Sequence, residues 1–307
     1  MTDKPTVGFI GVGFMGHGMA KNILQGGYPL WVKGNRNRTP IDSLVGMGAT
    51  EAKTPREMAE NCDVIHICLS NSPQVEAVFH GPDGILAGMR AGLTVIDTTT
   101  ADPTSTEALA AALAEKGGVM IDAPLGRTPK EAEAGTMDAM VGAPDADFAR
   151  VLPIIECWAG TINHVGPTGA GHKMKLLMNF TSMGYASLYA EALAVAAKAG
   201  ISPNTYAKVI GDSRLSNGFF DTFMAYAIGR DAEIHKFSIA NATKDLRYFN
   251  AMASEAGAVN VMASAAKHYF THAEAIGKGE DFIITLSDIV GDLNGLNMAD
   301  EVAKGKA

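Results

Sequence analysis

A change of pattern near Pro167 constrains this chain of 307 residues more than any other feature. Before it, short β-rich runs alternate with helical stretches, which is the pattern of βαβ units around a parallel sheet. Thr6 to Gly11, Leu30 to Lys33, Asp63 to Leu69, Leu93 to Asp97 and Val119 to Asp122 are the strand candidates. Helices are expected over Met15 to Gln25, Pro55 to Glu60, Pro73 to Phe79 and Pro103 to Lys116, several opened by proline or a small polar cap. Two further strands, Asp138 to Val141 and Thr161 to Val165, bracket a helix over Asp145 to Glu156. After Pro167 the alternation stops. From Gly171 to Lys198 there is no internal proline and one internal glycine, Gly184, in a run rich in Ala, Leu and Met. At about 1.5 Å per residue this run makes a helix about 40 Å long. Helical segments continue through Ala303, broken at 200–203, 216–218 and 277–279. The chain therefore reads as α/β over residues 1–166 and all-α over residues 167–307, with the tail from Lys304 to Ala307 expected to fray.

Composition narrows the function classes. With 47% apolar and 19% charged residues the chain is neither charge-swollen enough for disorder nor apolar enough to live in a bilayer. A formal charge of -8 supplies no basic stripe for nucleic-acid phosphates and is repelled by anionic membranes, so neither partner is expected. Cys62, Cys68 and Cys157 cannot all pair and share no metal-ligand spacing. They fit a reducing cytoplasm with no metal site. The first residues lack the basic and apolar regions of a signal peptide, so the mature chain is expected to start here.

Gly11-Val12-Gly13-Phe14-Met15-Gly16 stands directly behind the first strand and opens a helix. Gly11 permits a tight turn, Gly13 lets backbone approach a pyrophosphate, and Gly16 lets the helix pack on the strand. Unpaired helix N–H groups then face the anion. The loop, Phe14 and Met15 included, is the expected dinucleotide contact. An NAD-binding fold carries Asp or Glu about 20 residues further on, for the ribose hydroxyls. Here that position holds Lys33-Gly34-Asn35-Arg36-Asn37-Arg38-Thr39. The guanidiniums of Arg36 and Arg38 suit a 2′-phosphate, so NADP is expected over NAD, with either arginine, Asn37 and Thr39 at the phosphate.

Several motifs in order resemble the β-hydroxyacid dehydrogenase family, which includes 3-hydroxyisobutyrate dehydrogenase and semialdehyde reductases. They are the Gly11 to Gly16 loop, Asn37-Arg38-Thr39, Asp97-Thr98-Thr99-Thr100, Asp122-Ala123-Pro124-Leu125, Gly169 to Lys175, and Lys244-Asp245-Leu246. The resemblance implies a Rossmann-like N-terminal domain and an all-helical C-terminal domain joined by a long helix. It implies a homodimer or homotetramer acting on a small anionic aldehyde or hydroxy acid. Leu69, Ser70 and Thr100 would contact the cofactor near the nicotinamide, and Lys244 would reach it from the helical domain. The family's catalytic lysine falls on Lys175 and the second amide of its Lys-x-x-Asn-Asn pattern on Asn179.

Lys175 and Asn179 are four apart on a helix and so share a face. A lysine ammonium can stabilise a developing alkoxide and then protonate it, and in the oxidative direction its amine works as a base. Lys173 is expected to point elsewhere, and His172 to be a capping or surface residue. Two departures bear on the substrate. Where most members read Ser-Gly-Gly, this chain has Gly126-Arg127-Thr128, and the first asparagine of the pair is Met178. Arg127 adds a fork suited to a carboxylate, sulfonate or phosphate, and Gly-Arg-Thr resembles the sulfolactaldehyde reductases of the same family. The competing expectation pairs Arg127 with Glu131 or Glu133. The leading function is hydride transfer between NADP(H) and a small 3-hydroxy acid or semialdehyde. The alternatives are a sulfolactaldehyde-type reductase or a non-catalytic NADP-binding sensor.

Overall fold

The computed structural model describes residues 4–305, so the start of the chain and the tail residues Lys306 and Ala307 lie outside the described residues. The chain divides into two compact units, the first ending at Lys175 and the second beginning at Leu176.

In the first unit the chain runs β1 (Val7–Ile10), α1 (Gly16–Gln25), β2 (Leu30–Lys33), α2 (Thr39–Gly46), β3 (Thr50–Glu51), α3 (Pro55–Asn61), β4 (Val64–Ile67), α4 (Ser72–Phe79) and α5 (Ile85–Gly88). It continues through β5 (Thr94–Asp97), α6 (Pro103–Ala114), β6 (Val119–Asp122), β7 (Leu125–Gly126), α7 (Pro129–Ala134), β8 (Met137–Gly142), α8 (Asp145–Ile155) and β9 (Ala159–Gly166). Every strand and helix expected from the sequence lies within two residues of its forecast position. The short elements β3, β7, α2, α5 and α7 were not expected, because pieces of two to eight residues carry too little periodicity to register.

The strands lie in the order β3-β2-β1-β4-β5-β6-β8-β7, with β9 alongside β8. From β3 to β6 every pairing is parallel; β8 then runs antiparallel to β6 and β7. A parallel sheet is covered on both faces, which is why its central strands are buried at every residue. Alternate side chains supply two cores: Val7, Phe9, Ile96 and Ile121 on one face, Ile10, Ile65, Val95 and Met120 on the other. His66 sits among the first set, stacked on Phe9 at 4.5 Å with Trp158 edge-on at 5.5 Å. Burial pushes its pKa down to about 3, so it is a neutral core residue. Helix starts follow local chemistry: Thr54, Asn71 and Asp102 each accept a backbone N–H of the first turn they precede.

Helix α9 (Ala170–Lys198) has 29 residues. In the second unit follow α10 (Pro203–Gly211), α11 (Gly218–Ala227), α12 (Ile239–Glu255), α13 (Val261–Ala275), a short 3₁₀ turn (Ile283–Thr285), α14 (Leu286–Leu293) and α15 (Met298–Lys304). Their apolar faces bury Leu193, Phe223, Leu246, Phe270 and Ile289 in one core. Lys304 is still helical and ion-paired with Glu301 at 2.6 Å, so the expected fraying does not begin there. Among the described residues no helix is long and apolar enough to cross a membrane.

Candidate active site

The strand order reverses at β1, which lies between β2 and β4, and a crevice opens beyond the carboxyl ends of the strands at such a point. A cavity of about 370 Å³ lies there, lined by Ile10, Gly11, Gly13, Gly34, Asn37 and Leu69 among others. The three glycines of the loop answer to different demands. Gly11 has φ +94°, and a Cβ on it would stand 2.2 Å from the Cys68 carbonyl oxygen. A Cβ on Gly16 would stand 2.0 Å from the Gly11 carbonyl oxygen. Both are therefore required by the protein's own packing. Gly13 is different, since a Cβ there would meet nothing within 4 Å. Nothing in the fold asks for a bare backbone at this position, whereas a diphosphate approaching it would. Helix α1 adds to this fit, because its N-terminus has neither a side-chain cap nor an acidic residue in its first turn. Phe14, 91% exposed, and the half-buried Met15 complete the loop.

Between β2 and α2 run the five residues 34–38. Asn37 Oδ1 accepts the Thr39 N–H at 3.1 Å and shapes the turn. Arg38 spans two carboxylates: its Nη1 and Nη2 donate to Glu51 at 2.5 and 2.9 Å, and Nη2 also donates to Asp42 at 2.9 Å. The pairing holds the Glu51 carboxyl below its usual range and raises the guanidinium. Arg36 is exposed and lines the same groove with Lys33, Glu51 and Lys53. Sequence reasoning missed Glu51, which the unforeseen strand β3 brings beside β2.

The turns after β4 and β5 are tied together. The Leu69 N–H donates to Thr99 Oγ1 at 3.0 Å, the Thr98 hydroxyl donates to the Ile67 carbonyl at 2.7 Å, and Asp97 Oδ1 accepts the Thr99 N–H at 2.9 Å. Leu69, Ser70 and Thr100 thus stand on two neighbouring, cross-linked turns.

Arg127 occupies a left-handed backbone conformation, φ 79°, after the buried Gly126. Its Nε lies 2.9 Å from Asp138 Oδ1 on β8, with the side chain 48% exposed. Neither carboxylate considered from the sequence takes it. Glu131 accepts both the N–H and the hydroxyl of Thr128, as the capping partner of α7, and Glu133 is held by His17 and Lys21 of α1. Helix α7 packs on α1 so closely that a Cβ at Gly18 would stand 2.5 Å from the Ala132 backbone.

Lys175 is half-buried on α9. Lys173 points away to Glu107, with its Nζ 2.6 Å from Oε1. His172 overturns its forecast as a capping or surface residue, because its side chain is fully buried. The reason is tertiary: β5, β6 and α6 close over it. In the second unit the buried Asn179 donates from Nδ2 to Asp245 Oδ2 at 2.6 Å. Lys244 Nζ lies 3.2 Å from Asp245 Oδ1 and 5.7 Å from the centre of the Tyr248 ring. Asp245 is thus the residue that links the two second-unit positions singled out in the sequence.

Comparison with known proteins agrees with this geometry. Residues 6–166 match the model of the NAD binding domain of 6-phosphogluconate dehydrogenase, and residues 169–287 match that of the NAD-binding domain of NADP-dependent 3-hydroxyisobutyrate dehydrogenase. The chain is 30% identical to 2-(hydroxymethyl)glutarate dehydrogenase of Eubacterium barkeri, over 95% of this chain and 97% of that one. It is also 30% identical to 3-sulfolactaldehyde reductase of Escherichia coli, over 89% and 91% of the two chains. The solved structure of Mycobacterium tuberculosis 3-hydroxyisobutyrate dehydrogenase with L-serine superposes with a TM-score of 0.82 at 25% identity, covering 94% of this chain and 99% of that one. With a dinucleotide crevice and matches along nearly its whole length, the chain belongs to the β-hydroxyacid dehydrogenase family, oxidoreductases that transfer hydride between a nicotinamide cofactor and small hydroxy acids or semialdehydes.

Proposed function

We propose that the chain interconverts a small anionic aldehyde and its hydroxy acid with NADP(H) in preference to NAD(H). The observation that carries this reading is a pair of arginine-bearing turns at strand ends, Arg38 beside the dinucleotide cavity and Arg127 after β7. Residues 1–166 form the dinucleotide-binding domain and residues 167–307 the substrate and oligomerisation domain. The Gly11 to Gly16 loop and the first turn of α1 hold the diphosphate. Arg38, with Arg36, Asn37 and Thr39, takes the 2′-phosphate by exchanging ion pairs with Glu51 and Asp42. Those pairs are exposed, so giving them up costs little. Leu69, Ser70, Thr100 and Lys244 are the remaining cofactor contacts, and the cofactor when bound supplies or accepts the hydride.

In the reductive direction the Lys175 ammonium stabilises the developing alkoxide and delivers a proton to it; in the oxidative direction its amine removes that proton. Asn179, one turn further along the helix, orients Lys175 or the substrate. Gly126, Arg127 and Thr128 hold the anionic group. Because a guanidinium fork serves a sulfonate as well as a carboxylate, a sulfolactaldehyde-type substrate is the second reading, favoured by the Gly126-Arg127-Thr128 turn. Lys175→Ala tests the mechanism. It should lower reduction about 10²- to 10⁴-fold while NADPH still binds, as loss of a general acid does. A variant keeping half the wild-type rate would leave the lysine a structural role. Assaying carboxylated, sulfonated and neutral aldehydes with both cofactors decides the substrate class.

A further inference from the structure

We propose that Asp122 and His172 are positioning residues for Lys175, an inference that rests on the acid/base reading of that lysine. Asp122 closes strand β6 and is fully buried. Its carboxylate turns to backbone: Oδ1 accepts the Gly169 N–H and Oδ2 the His172 N–H, both at 2.6 Å. A helix start leaves such N–H groups without intrahelical partners, and a side chain just ahead of the helix normally takes them. Here the nearby hydroxyl, on Thr168, instead donates to the Met120 carbonyl at 2.8 Å. The cap of α9 is supplied from a strand 47 residues earlier.

Two glycines clear the space for it. A Cβ on Gly142 would stand 2.4 Å from Asp122 Oδ1, and one on Gly171 would stand 2.8 Å from Oδ2 and 2.4 Å from the Met140 carbonyl. The carboxylate therefore pins the first turn of α9 to the ends of β6 and β8, at a distance no larger residue permits.

His172 clamps the same turn from its other side. The Thr106 hydroxyl donates to the Asp102 carbonyl at 3.1 Å, so it accepts from His172 Nδ1 at 2.7 Å. His172 Nε2 then faces Asp97 Oδ2 at 4.0 Å, both atoms buried and without a hydrogen-bond partner. Burial raises the Asp97 carboxyl, against the pull of His172. Through its other oxygen Asp97 holds Thr99, whose hydroxyl oxygen accepts from Leu69. The turns assigned to the nicotinamide and the first turn of the lysine helix thus meet at one buried approach, Asp97 to His172. Neither the carboxylates nor the imidazole is exposed to touch a substrate. Lys175 follows His172 by three residues, so the set of this turn decides where its ammonium lies. A shift of about 1 Å at a reacting group costs about a hundredfold in rate.

The test compares Asp122→Asn, His172→Ala and His172→Asn with wild type. NADPH stoichiometry and Kd are titrated. Saturation kinetics use the fastest-reduced of methylmalonate semialdehyde, succinic semialdehyde and sulfolactaldehyde. Asp122→Asn keeps the size but replaces one acceptor by a donor. It should lower kcat per NADPH-binding site about tenfold to a hundredfold, with KM and Kd within about twofold. His172→Ala should lower it about tenfold, and His172→Asn, whose amide still reaches Thr106, should recover part of that loss. A per-site kcat within twofold of wild type overturns the proposal, as does a fall explained wholly by fewer NADPH-binding sites. Should Asp122→Asn fail to fold, the two His172 variants decide by the same criterion. If Lys175→Ala stays active, the acid/base reading fails; if it is inactive and the Asp122 and His172 variants are unimpaired per site, only the positioning role fails.

Discussion

Arg38 and Arg127 each sit on a turn at the end of a strand, and each is held by a carboxylate from a neighbouring strand, Glu51 on β3 and Asp138 on β8. The resemblance ends at the nitrogens. Arg38 commits both terminal nitrogens to Glu51 and one of them to Asp42 as well. Arg127 meets a single carboxylate, in an ion pair between its Nε and Asp138 Oδ1 at 2.9 Å. The first arginine must exchange partners to take an anion, whereas the second can keep its partner and take one. An arginine in a binding loop is thus half a description. The carboxylate beside it decides whether the guanidinium is neutralised or aimed.

This contrast can be broken by experiment. The largest effect is expected at Arg127: Arg127→Ala should lower kcat/KM for a carboxylated or sulfonated aldehyde about tenfold to a hundredfold, and for a neutral aldehyde much less. Arg127→Lys should fall between, since a point ammonium cannot reproduce the planar fork. Equal losses on charged and neutral aldehydes would remove Arg127 from substrate recognition.

Arg38→Ala should weaken NADPH about tenfold in a fluorescence titration and leave NADH nearly unchanged, with Arg36→Ala showing a smaller loss in the same direction. Wild-type enzyme binding NADH as tightly as NADPH would end the NADP assignment.

The two carboxylates should respond with opposite signs. Asp138→Asn loosens an aimed guanidinium and should raise KM for the anionic aldehyde about fivefold, because orientation must then be supplied on binding. A lower KM would make Asp138 a competitor instead. Glu51→Gln removes a competitor and should tighten NADPH about twofold to threefold, the small size reflecting an exposed pair. Weaker NADPH binding would make Glu51 an anchor like Asp138 and erase the distinction.

How far the sequence reached differs from element to element. Strands β1, β4 and β5 were legible because burial on both faces demands unbroken apolar runs. The two-residue strands β3 and β7 have no period to read, and β3 carries Glu51, the carboxylate that changes the meaning of Arg38. The spacing of Gly11, Gly13 and Gly16 announced the crevice, although only the packing separates the two glycines that the fold requires from Gly13. His172 was misjudged for a related reason. Its neighbours Gly169 to Lys175 describe a helix start, and such a start is usually exposed.

What the sequence determined by itself is what acts over short range: the period of each strand and helix, the capped helix starts, the glycine turn, and the break near Pro167 between alternating and purely helical segments. Backbone sterics and the alternation of apolar residues set these within a few residues of chain. What only the tertiary structure decided is the partner of each charge: Glu51 for Arg38, Asp138 for Arg127, Asp122 for the first turn of α9, Asp97 and Thr106 for His172. These partners stand 11 to 75 residues apart in the chain. Electrostatic pairing depends on distance in space and on burial, and neither is written in the order of residues until the sheet has brought its strand ends together.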